Sequence, residues 1–143
     1  KTAESKLSAT NPSKSQLLDL ISLYTQHADS FPKDKMSPVY LVKAGDFYGS
    51  VNLPHEKCNM YKKAVEMYPD FKDADMVQYL YASSLDSDLD NRVEAKKQYE
   101  LFIQKFPASP YVEDAKARLT TIDSLTFKEL QDKIIHQQIE SPK

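Results

Sequence analysis

His55 and Cys58 stand three residues apart, a spacing that puts an imidazole and a thiol on one helix face, where the pair could begin a zinc site. A structural zinc needs about four such ligands. Cys58 is the chain's one cysteine, and His27 and His136 lie far from it in sequence. The expected reading is therefore a residue at a helix start and a buried thiol, with no metal and no cofactor. Asp86, Asp88 and Asp90 alternate in the manner of a calcium loop, but the glycine and the distal glutamate of such a loop are missing. They read as a solvated turn between helices. His27 reads as partly buried and His136, flanked by polar residues, as facing water. Catalysis needs a nucleophile with its base, a metal cluster or paired carboxylates. The sequence assembles none of these, so no catalytic residue is expected and the chain does not read as an enzyme.

A chain of 143 residues is long enough to fold as one domain with its own core. No apolar run approaches the roughly 20 residues of a membrane span. Nineteen basic and 21 acidic residues leave a net charge of -2 with the signs interleaved, which argues against a nucleic-acid partner. Two glycines in the whole chain leave little material for phosphate loops or tight hairpins, so helix is favoured. The chain opens on Lys1 and not Met, as a processed or shortened chain would.

Residues 1–12 hold only Leu7 as a large apolar group and read as a disordered tether. From residue 13 to 143 one helical domain is expected: a leading helix over 13–31, helix pairs over about 37–68 and 72–106, a trailing helix over 109–122 and a capping helix over 126–139. Ser13 with Gln16, Asn91 with Glu94, and Thr126 with Glu129 have capping-box spacing. Ser37 and Ser109, each before a proline, read as N-caps.

An internal repeat organises these elements. Phe31-Pro32, Tyr68-Pro69 and Phe106-Pro107 are spaced by 37 and 38 residues. Eight residues before each proline stands a tyrosine, Tyr24, Tyr61 and Tyr99; four before stand Ala28, Val65 and Ile103. Eight after stand Tyr40, Val77 and Ala115, twelve after Ala44, Tyr81 and Leu119, and thirteen after the small residues Gly45, Ala82 and Thr120. Such spacings fall on one helix face. Helix pairs at this period imply a stacked array, since one pair cannot bury its apolar face alone.

The pattern resembles the tetratricopeptide repeat family over about residues 15–122. The segment Ala44-Gly45-Asp46-Phe47-Tyr48 matches its helix A signature, and Ala95, Tyr99 and Pro107 match helix B. The period is longer than the family's usual 34 residues, and Leu41, Gln78 and Lys116 replace its common tryptophan. The Phe106-to-Tyr111 loop is similar to that of the subgroup found in bacterial cell-envelope proteins. The resemblance implies an all-α, right-handed antiparallel helix-pair solenoid of about seven helices, its end closed by a capping helix through Phe127, Leu130, Ile134 and Ile135. It also implies a periplasmic or outer-membrane location, with a possible lipid anchor upstream. The function implied is a non-catalytic scaffold that holds a protein or peptide in its concave groove, lined by Val42, Asp46, Met76, Tyr79, Ser83 and Asp86. The other tyrosines of the repeat, Tyr48 and Tyr81 included, read as core. A self-associating module using Leu130 and Ile134 of the last helix is the alternative, and the chain is expected to be a monomer or a weak homodimer.

Overall fold

The first helix begins where the sequence says it should. The Ser13 hydroxyl accepts from the Gln16 N–H, the Gln16 side chain accepts from the Ser13 N–H, and α1 (Lys14–Ser30) follows. In the computed structural model residues 11–141 are described, so most of the expected tether lies outside the described residues. The described residues form six α-helices and no strand. After α1 come α2 (Ser37–Ser50), α3 (Pro54–Met67), α4 (Ala74–Ser83), α5 (Arg92–Lys105) and α6 (Val112–Glu140), with a π-helical turn at Ser84–Asp88 continuing α4. Each helix packs on its neighbours in sequence.

Three helices end in the same way. Phe31, Tyr68 and Phe106 have φ of -128°, -129° and -128° with ψ of 63°, 59° and 57°. The following proline keeps each of them out of the α region and cannot continue the ladder. Each cap N–H still donates to the carbonyl four residues back, and each cap carbonyl accepts from the N–H three residues on, at Asp34, Phe71 and Ser109. The carbonyls of those three accept in turn from Ser37, Ala74 and Val112, where the next helix begins. One loop is thus built three times, and the serine caps are corrected by it. Ser37 lies inside α2 with its hydroxyl donating 2.6 Å to the Phe31 carbonyl, and Ser109 sits in the turn, donating 2.7 Å to Asp75.

The core follows the repeat. Tyr24, Tyr61, Tyr99 and Tyr81 are buried, as are Ala28, Ala44, Ala82, Val77 and Ala115, while Tyr48 is half-buried. Gly45 lies against Tyr61: a Cβ there would stand 2.6 Å from the ring Cε1. The second glycine differs, because a Cβ on Gly49 would meet only the flexible Lys57 side chain at 3.1 Å. Gly49→Ala is therefore expected to raise stability by about 0.5–1 kcal/mol, the usual cost of a helical glycine. Urea unfolding monitored by circular dichroism reads this directly, and a drop of 1 kcal/mol would show Lys57 to be less yielding than argued.

The repeat lengthens by one residue, and the structure shows where. α2 and α4 both begin five residues after their prolines, but the left-handed residues that end them, Asn52 (φ 60°) and Asp90 (φ 50°), fall twenty and twenty-one residues after. The additional residue is absorbed in the π turn, where the Leu89 N–H reaches five residues back to the Ser84 carbonyl at 3.1 Å.

The C-terminal expectation fails. Residues 109–122 and 126–139 do not form two helices; α6 runs unbroken from Val112 to Glu140, so there are six helices where about seven were expected and no separate capping helix. Thr126 caps nothing and donates 2.9 Å to the Ile122 carbonyl within the helix. Glu129 pairs with Arg92 at 2.6 Å and Asp123 with Lys96 at 2.7 Å, two bonds between α5 and this stretch. Phe127, Leu130, Ile134 and Ile135 are exposed.

Candidate functional site

The helices that follow the aromatic-proline loops, α2, α4 and α6, each carry an aspartate tied to a tyrosine hydroxyl. The Tyr61 hydroxyl donates to Asp46 of α2, the Tyr99 hydroxyl donates 3.3 Å to Asp86 in the π turn, and the Tyr79 hydroxyl donates to Asp114 of α6. The phenols are suited to donating. Burial first, and then the bonded carboxylate, pushes Tyr61 well above the ordinary tyrosine range and Tyr79 up to about 12. Burial and the neighbouring Asp86 raise Tyr99 as well. All three hydroxyls stay protonated at neutral pH and remain able to donate.

The six residues expected to line a groove divide between two places. Val42 and Asp46 lie on α2; Val42 is 8% exposed and offers a partner little, whereas Asp46 is exposed beside Tyr61. Met76, Tyr79, Ser83 and Asp86 run along α4 and its π turn. Ser83 and Asp86 flank the Tyr99 hydroxyl, and Met76 is half-buried against the core. Tyr79 is less free than its repeat position implies. Its ring stacks on Tyr111 at 5.1 Å and meets Tyr99 and Phe102 at 6.1 and 5.8 Å, so much of it belongs to the packing between α4, α5 and α6. Helical periodicity alone does not separate a residue facing a groove from one facing the next helix. A signal for Asp114 was available, since it stands 35 residues after Tyr79, close to one repeat length.

One concavity went unread in the sequence. A cavity of about 460 Å³ lies between α3, α5 and the end of α4, lined by Cys58, Lys62, Glu66, Tyr81 and Glu94, and none of the six groove residues reaches it. Burial raises the Cys58 thiol and pushes Tyr81 up to about 12. His55 is exposed one turn before the buried Cys58, and no cluster of three or more His, Cys, Asp or Glu among the described residues is arranged to hold a metal. His27 is half-buried, 3.1 Å from Asp34 and edge-on to Tyr40, while His136 is exposed.

No helix among the described residues is long and apolar enough to cross a membrane. No protein-family model matches the chain, and no curated protein matches it either.

Proposed function

We propose that the chain is a tetratricopeptide-like array whose α2, α4 and α6 line a groove for a protein or peptide partner, and that it acts by holding that partner without transforming it. One observation carries this reading: the same aromatic-proline loop closes a helix three times and launches the next helix at the same offset. Bonds between successive units support it. Lys63–Asp29, Ser109–Asp75, Tyr79–Asp114 and Tyr68 to the Pro32 carbonyl join residues 34, 34, 35 and 36 apart, slightly less than one repeat length, as contacts between neighbouring units of a stacked array would be. The exposed carboxylate of Asp46 and the polar Ser83 and Asp86 supply directional contacts, and extended peptides are bound through such contacts between side-chain pockets. A place in the bacterial cell envelope rests on the likeness of the Phe106-to-Tyr111 loop alone.

Photo-crosslinking amino acids at Asp46 and Ser83, with Lys62 and Gln104 on α3 and α5 as controls, test the groove in native extract. Adducts confined to the first pair are expected. Adducts at the controls only, or at no position, would refute the groove.

A further inference from the structure

We propose that α6 is hinged near residues 123–126, and that Thr126–Glu140 closes back along the first half of the same helix as a separate antiparallel helix.

The count of residues points to the hinge. α2 turns back after 14 residues, and α4 with its π turn ends after 15. The same lengths measured from Val112 end at Leu125 and Thr126, yet α6 continues to Glu140. The local chemistry at that point is that of a helix start. Thr126 has an oxygen to cap with, Glu129 stands three residues on to complete the box, and Leu125 and Leu130 occupy the two positions of a hydrophobic staple. The preceding stretch, Thr120, Thr121, Ile122, Asp123 and Ser124, is made of β-branched and short polar residues, which form helix poorly.

The straight helix leaves two surfaces unmatched. Phe127, Leu130 and Ile134 share one face of the helix and are 62%, 56% and 49% exposed. Thr120, the counterpart of the buried Gly45 and Ala82, is exposed because no helix crosses it. Folding at the hinge lays the first surface against the second. Glu129 decides between the forms: in the straight helix it pairs with Arg92, and in the folded one it turns to the Thr126 N–H. The restraint on the straight form is modest, since the Arg92–Glu129 and Lys96–Asp123 pairs are solvent-exposed and screened by salt.

Nitroxide labels at Glu113→Cys and Gln137→Cys in a Cys58→Ala background separate the forms by pulsed electron resonance. An unbroken helix holds these positions roughly 36 Å apart at 1.5 Å per residue, whereas the folded form brings them within about 20 Å. A short-distance population is expected that persists on dilution with unlabelled chain. It should shrink about fivefold relative to the long one in Thr126→Ala, the effect of a lost N-cap, and grow in Arg92→Ala. A single long distance in all three chains overturns the proposal. So does a short distance that disappears on dilution, which would place the contact between two copies.

Discussion

Truncating Tyr99 to alanine is expected to cost about 3–5 kcal/mol and to lower the melting temperature by roughly 10–20 °C. Tyr99 is fully buried, lies where α4 and α5 meet, and touches the Tyr79 ring that in turn stacks on Tyr111. Removing it opens a cavity that rigid helices cannot collapse into, so the loss includes both transfer of the ring to water and contacts stranded around the void. Tyr99→Phe isolates the hydroxyl. Its bond to Asp86 is 3.3 Å long and the aspartate is half-exposed, so about 1 kcal/mol or less is at stake. Chemical denaturation of the two variants side by side measures the difference. Equal, small losses would mean that the tyrosine at this repeat position is not a keystone of packing.

Gly45→Val is expected to be comparably damaging, at about 3 kcal/mol or more, for the opposite reason. The first added carbon already lies 2.6 Å and 2.9 Å from two atoms of the Tyr61 ring and 3.3 Å from the Met60 Cβ. That ring cannot swing aside easily, because it is buried and its hydroxyl is tied to Asp46. α2 and α3 would have to move apart, an overpacking cost of roughly 1–3 kcal/mol that grows with the branched methyls. Valine also recovers part of the helix propensity glycine lacks, which sets a lower bound on the clash inferred from any measured loss. Adding Tyr61→Ala should relieve a share of the damage, so the double variant falls short of the sum of the singles. Strict additivity would show that the two residues do not meet.

The residues that could be read in advance are those whose role is fixed by their immediate neighbours along the chain. Phe31, Tyr68 and Phe106 end helices because a proline follows each, and that is a local constraint. Tyr24, Tyr61 and Tyr99, with Gly45 and Ala82, recur at fixed offsets and sit inside as their spacing requires. Three features escaped because competition between distant groups decides them. Thr126 and Glu129 have good capping chemistry, but in the continuous helix Glu129 and Asp123 pair with Arg92 and Lys96, more than twenty residues away. The place of Tyr79 along its helix is set locally, while its engagement with Tyr111 and Asp114 depends on how α6 approaches. The cavity beside Cys58 needs three helices to exist at all.

The widened turn at Ser84–Asp88 uncouples chain length from seating. A residue gained there is swallowed as local slack, and Tyr99, Phe102 and the closing Phe106-Pro107 loop still reach their places downstream. A residue can therefore be added at that spot without rewriting any interface, and the fold constrains the interval between prolines less tightly than the loop that closes each helix.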